Sequence, residues 1–174
     1  MKLGLALLRL IVGGLFFGHG MQKLAGKFGG GGLEATAQAF ESLGLRPGKV
    51  HATAAGLAEA GGGALLAAGA ATPLSATLLS GTMVTAIRTV HAPKGPWATN
   101  GGYEYNLVLL AIVFAITDVG PGGWSLDAIR GRERWGTAWA LAQLGAGLIG
   151  STAAIAYGKS QPVPEHGTPG PAAT

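Results

Sequence analysis

Long apolar runs interrupted by charge constrain this chain more than any other feature. Arg9, Glu59 and Arg88 each fall inside such a run, while His19, Lys23, His91 and Glu104 stand at run ends. A charge in the hydrocarbon of a bilayer is costly, so residues of this kind face protein or water and mark candidate functional sites. The pattern predicts an all-α, polytopic membrane protein with a polar internal site.

Composition points the same way. Only 11% of the 174 residues are charged, against about 25% in a soluble domain. The 32 glycines suit closely packed membrane helices. The absence of cysteine excludes disulfides, thiolate catalysis and a dithiol relay. The net charge of +4 fits loops at lipid headgroups, and its dispersion argues against a nucleic-acid partner. The N-terminal stretch resembles a signal peptide, but Arg9 splits its apolar run and no small-x-small cleavage site follows Gly20. A retained helix is expected.

A helix needs about 20 mostly apolar residues to cross the hydrocarbon. Five segments qualify: roughly 3–22, 51–71, 74–92, 104–119 and 136–157. The third starts just after Pro73, a favoured helix-start residue. The fourth ends at Asp118 and the Gly120-Pro121-Gly122-Gly123 breaker. Residues 23–50 form the one long connection. Its Gly29–Gly32 run reads as a flexible hinge and lacks the Gly-Lys-Ser/Thr ending of a phosphate loop. Residues 33–43 repeat apolar side chains at three- and four-residue spacing, which predicts a short helix on the membrane surface or capping the bundle. The predicted organisation is a four-helix membrane domain over 1–130, an additional transmembrane helix over 131–158, and a disordered Pro- and Gly-rich tail over 159–174. Basic residues are nearly balanced between the two faces, and the compact Arg130-Gly131-Arg132-Glu133-Arg134 cluster favours an N-terminus inside.

Up-down connectivity gathers the polar residues. The end of the first span, the start of the second, the end of the third and the start of the fourth share one membrane face. His19, Lys23, Arg88, His91, Glu104 and Asn106 fall at that level, with Glu59 about 12 Å into the second span and Arg9 near mid-bilayer. Arg9, Gly13, Phe16, Gly20 and Lys23 share one side of the first span. Thr77, Gly81, Thr85 and Arg88 form a polar stripe on the third. Gly56, Ala60, Gly63 and Ala67 make a small-residue seam on the second, and Gly14 with Gly18 a similar contact on the first. The expected result is a pocket walled by four helices and open toward residues 23–50. Its candidate residues are Arg9, His19, Lys23, Glu59, Arg88, His91, Glu104 and Asn106. Five of them also have a structural reading: Arg9 and Glu59 as an ion pair, Lys23 as a headgroup anchor, the two histidines as interfacial residues. No His-x-x-His or Glu-x-x-His pair occurs, so no metal centre is expected. Asp118 reads as a plain helix-end residue, and Trp97, Trp124, Trp135 and Trp139 as aromatic belts.

The stretch from Arg9 through His19-Gly20-Met21-Gln22-Lys23-Leu24 resembles the opening signature of the DoxX family of membrane proteins. Glu59-Ala60-Gly61-Gly62-Gly63 resembles the family's second span. Asn100-Gly101-Gly102-Tyr103-Glu104-Tyr105-Asn106, followed by an apolar span and Gly120-Pro121-Gly122-Gly123-Trp124-Ser125-Leu126-Asp127, is the most specific match. The resemblance covers about residues 3–130 and implies a four-helix protein of a bacterial or archaeal inner membrane. Founding members of the family reduce quinone as membrane subunits of an archaeal thiosulfate-oxidising system, and other relatives belong to membrane redox complexes. Fold likeness alone does not transfer that chemistry.

Three functions follow from this reading. The first is a quinone-linked oxidoreductase subunit: His19, His91 or Glu104 would donate protons and Arg9 or Arg88 would stabilise an anionic oxygen. Electrons would come from a bound cofactor or a redox partner protein. The second is a non-enzymatic scaffold that recruits a partner to the membrane. The third is a small-solute transporter, for which no internal repeat is evident. Besides the lipid bilayer and a redox protein, a second copy of the chain stands as a candidate partner.

Overall fold

The computed structural model describes residues 3–163, and all regular structure among them is helical. Seven α-helices follow in order: α1 (Leu3–Ala25), α2 (Gly32–Ser42), α3 (Gly48–Ala68), α4 (Thr72–Ala86), α5 (Glu104–Val119), α6 (Leu126–Ile129) and α7 (Thr137–Ser160). The predicted surface helix is α2, and the five predicted spans correspond to α1, α3, α4, α5 and α7. Among the described residues, only α1 and α7 are long and apolar enough to cross a membrane by themselves, fewer than the five spans expected. α5 has 16 residues, about 24 Å of helix, short of the roughly 30 Å hydrocarbon. The third span is α-helical only to Ala86; it continues as a π turn over Ile87–His91 and a 3₁₀ turn over Ala92–Lys94. Residues 164–174, which fall in the predicted tail, lie outside the described residues, and α7 continues through Ser160.

The helices pack as α1 on α3, α3 on α4, α4 on both α5 and α7, and α5 on α7. Val12 and Phe16 of α1, Leu66 of α3, Leu79 and Met83 of α4, and Leu109, Val113 and Ile116 of α5 form the shared apolar core.

Glycine decides how α1 and α3 meet. A Cβ on Gly13 would strike the Gly63 carbonyl and the Ala67 main chain, and one on Gly20 would strike the Ala60 main chain. The two helices therefore touch backbone to backbone, through the small-residue seam predicted for the second span. The predicted Gly14–Gly18 contact does not form: Gly14 has nothing within 4 Å and Gly18 only the edge of the Phe28 ring. Gly13 and Gly20, two turns apart, share the buried side of α1 with Arg9 and Phe16, whereas Gly14 and Gly18 lie off it.

The fifth predicted span is part of the bundle. Ser80 donates to Gln143 Oε1 at 2.8 Å, Gly81 faces Gly147, the Thr85 and Ser151 hydroxyls bond at 3.0 Å, and Arg88 Nη1 donates to Thr152 at 2.9 Å. Of the polar stripe expected on the third span, Thr77, Gly81 and Thr85 line the central cavity, with Gly81 and Thr85 also meeting α7, whereas Arg88 lies on the α4–α7 seam outside it.

At the opposite end from α2, Asp127 holds the turn between α3 and α4. Its carboxylate accepts from the Ala71 and Thr72 amides at 2.8 and 2.9 Å and from the Thr72 hydroxyl at 2.8 Å, while its own amide donates to Gly69 O. It therefore supplies from α6 the cap that the first turn of α4 lacks locally.

A cavity beneath the second helix

Gly26, Gly29 and Gly32 all take positive φ, so the glycine run is a compact turn folded back on the end of α1. Gln22 ties it down, donating to Phe28 O at 3.0 Å and bonding His19 Nδ1 through its carbonyl oxygen at 2.9 Å. The predicted hinge is a tied corner. It drops α2 onto α3, where Glu41 accepts from the Gly48 amide at 2.6 Å and lies 3.6 Å from Arg46, and Lys49 pairs with Glu34. Phe40, Leu43 and Leu45 then roof a cavity of about 660 Å³. α1, α3, α4, α5 and α7 wall it, one helix more than expected.

Five of the eight predicted candidates line this cavity: His19, Lys23, Glu59, His91 and Asn106. Lys23 Nζ meets Glu59 Oε2 at 2.5 Å, with Glu59 almost fully buried. Asn106 is buried on the α5 wall, and its amide nitrogen has only the Met83 sulfur, at 3.3 Å, to donate to. Thioether sulfur is a weak acceptor, so this donor is available to a better one. His91 sits on the π turn and bonds Gly101 O through Nδ1 at 2.7 Å.

Three candidates lie elsewhere. Arg9 does not pair with Glu59. The α1–α3 contacts put Gly20 opposite Ala60 and Gly13 opposite Gly63 and Ala67, so Arg9 lands beside Gly69, with Nη2 donating to Trp124 O at 2.7 Å. Lys23 is 14 residues, or about 21 Å, further along the same face, and it takes the carboxylate instead. Arg88 is exposed on the α7 seam. Glu104, also exposed, accepts from the Ala98 amide at 2.8 Å and shapes the loop before α5.

Two contributors escaped the sequence reading. His51 is buried on the cavity wall, with Nε2 3.1 Å from Arg46 O and its ring 5.8 Å from that of Tyr157 on α7. Its spacing of eight residues before Glu59 puts both on one side of α3, a signal the sequence did contain. Ser151 contributes a hydroxyl from α7. Asp118 is more than a helix end, accepting from the Thr137 hydroxyl at 2.7 Å and joining α5 to α7.

At about 660 Å³ the cavity falls within the size range of small-molecule sites, and its mostly apolar lining with few polar groups is typical of them. Among the described residues no cluster of three metal-ligating side chains forms.

Residues 4–92 match the DoxX family. The chain is also 37% identical over 116 residues to a Bacillus subtilis protein named "Putative oxidoreductase CatD", an alignment covering 67% of this chain and 80% of that one. No solved structure matches.

Proposed function

Because the chain belongs to the DoxX family, we propose that it is a multi-pass inner-membrane subunit whose central cavity binds a quinone for a redox partner protein. The observation that carries the reading is the cavity: apolar walls, an amide donor on Asn106 with only sulfur as partner, and a Lys23–Glu59 pair whose carboxylate is buried. A relative named as an oxidoreductase supports the same class of chemistry. Membrane insertion is supported by the outer surfaces of the helices. Leu7, Leu10, Ile11 and Leu15 on α1, Leu107 and Val108 on α5, and Leu141, Leu148 and Ile149 on α7 are all exposed. Exposed apolar area of that extent needs lipid or protein to cover it. In this reading α1, α3, α4, α5 and α7 traverse the bilayer together, and the arginine cluster before α7 faces the cytoplasm.

A quinone takes up two electrons and two protons. Asn106 orients one carbonyl by donating to it, in exchange for its weak bond to Met83. The Lys23–Glu59 pair and the His19 and His91 rings line the cavity as candidate proton donors to the two oxygens. Phe40, Leu43 and Leu45 keep the α2 side of the cavity apolar. Without cysteine, the chain has no thiolate-ligated cluster to carry electrons, and the partner protein supplies them.

The test is a titration of the purified protein in uncharged detergent with short-chain ubiquinone and menaquinone analogues. Saturable binding is expected, weakened about tenfold or more by Asn106→Leu and unchanged by Arg88→Ala. No saturable binding to the wild-type chain refutes the proposal. A scaffold without small-molecule chemistry is the second reading, favoured by the internal partners that Lys23, Glu59, His91 and Glu104 already have. It predicts that Glu59→Gln lowers thermal stability and alters no ligand signal.

A further inference from the structure

A second cavity, of about 620 Å³, opens at the other end of the bundle between α4 and α7. Arg130, Arg132 and Arg134 line its mouth, and among the described residues no salt bridge engages any of them. Arg134 stacks on the Trp139 ring, its guanidinium carbon 5.6 Å from the centroid. Deeper in, Gln143 is 98% buried: its oxygen accepts from Ser80, and its amide nitrogen has no partner. Asp127 faces the same space, but its carboxylate already accepts three hydrogen bonds from Ala71 and Thr72 and lies within electrostatic range of Arg9. Among the described residues the wall therefore offers three cations outside any salt bridge and one buried donor, a set suited to a phosphate group.

Leu65 and Leu74 form an apolar flank that runs away from the arginines, and Leu74 is exposed. Trp124, Trp135 and Trp139 are exposed around the same end, as is Ile129 on α6. Tryptophans at this density mark the depth of the lipid headgroups. We propose that this cavity binds the phosphodiester headgroup of an anionic phospholipid, with the arginines on the phosphate, Gln143 donating from below and an acyl chain along Leu65 and Leu74. Basic pockets between membrane helices recognise anionic headgroups by this chemistry. The site adjoins the quinone cavity at Thr77 and Ala146 but shares no polar residue with it besides Thr77, and its test does not depend on quinone binding.

The full chain in uncharged detergent is titrated with dioleoylphosphatidylglycerol, dioleoylphosphatidylcholine or inorganic phosphate, with tryptophan fluorescence as the signal. Saturable binding of phosphatidylglycerol is expected, with phosphatidylcholine weaker by about tenfold or more. The exposed double variant Arg132→Ala/Arg134→Ala should lose about tenfold or more in affinity for phosphatidylglycerol, Gln143→Leu severalfold, and Lys94→Ala, at the other end, nothing. Equal binding of the two lipids, or full affinity in the double arginine variant, overturns the proposal. Inorganic phosphate displacing the lipid at comparable concentration would make this a free-anion site and also overturn it.

Discussion

The Lys23–Glu59 pair offers an asymmetric prediction, because its two ends see different amounts of water. Glu59 is 6% exposed and Lys23 24%, with 2.5 Å between the charged atoms. Breaking a fully buried pair by removing one partner costs about 3–5 kcal/mol, chiefly from the charge left behind. Glu59→Gln leaves the ammonium, which sits near the edge of α1 and can be hydrated, so the cost should fall to about 1–2 kcal/mol. Lys23→Met leaves the carboxylate in the apolar wall, and about 3 kcal/mol is expected. The double variant Lys23→Met/Glu59→Gln removes both charges and should be more stable than Lys23→Met alone, with a coupling of about 2 kcal/mol in the cycle. For a chain of this length, about 2–4 °C in Tm accompanies each kcal/mol. Lys23→Met should then melt about 6–12 °C early, read by far-ultraviolet circular dichroism in uncharged detergent. Equal losses for the two single variants, or a double variant that loses their sum, would refute this account of the pair.

Three further outcomes are expected. Gly13→Val should prevent α1 from reaching α3 and cost about 3 kcal/mol or more, since main chain rather than a flexible side chain blocks the added methyls; Gly14→Ala, with open space around it, should melt like the wild type. Asp127→Ala should cost about 2–3 kcal/mol by leaving the Ala71 and Thr72 amides without their acceptor, and Asp127→Asn, which keeps one acceptor oxygen, should cost less in the same melting assay. Because the chain has no cysteine, single cysteines at Lys94 and Arg132 can be labelled cleanly in intact cells with an impermeant maleimide; one should react from outside and the other only after lysis, whereas labelling of both from one side would exclude the proposed traversal.

Much of the secondary structure was legible because apolar runs and breakers mark helices directly. The 104–119 prediction coincides with α5, and the 33–43 spacing differs from α2 by one residue at each end. The inward side of α1 was also readable, since helical periodicity alone places Arg9, Gly13, Phe16 and Gly20 together. Register was not readable. Nothing in the order of residues says that Gly20 seats on Ala60, and that one fact sends Arg9 to Trp124 and gives Glu59 to Lys23. The docking of α7 was hidden for a similar reason: its small and hydroxyl residues complement the Thr85–Arg88 side of α4, but a stripe that faces a cavity, as Gly81 and Thr85 also do, carries the same residue types. Asp127 acts on an amide 55 residues away, beyond the reach of any local pattern.

Direct main-chain contact between α1 and α3 has a mechanical consequence. Where Gly13 meets Gly63 and Gly20 meets Ala60, no rotamer change can alter the spacing, so these two helices move as one stiff post. The opposite wall is joined by hydroxyls and an amide, which can exchange partners, and carries a stretch of wider π winding at Ile87–His91. Any breathing that admits a bulky guest therefore falls to α4, α7 and the roof helix, with the glycine-sealed pair as the fixed reference against which they swing.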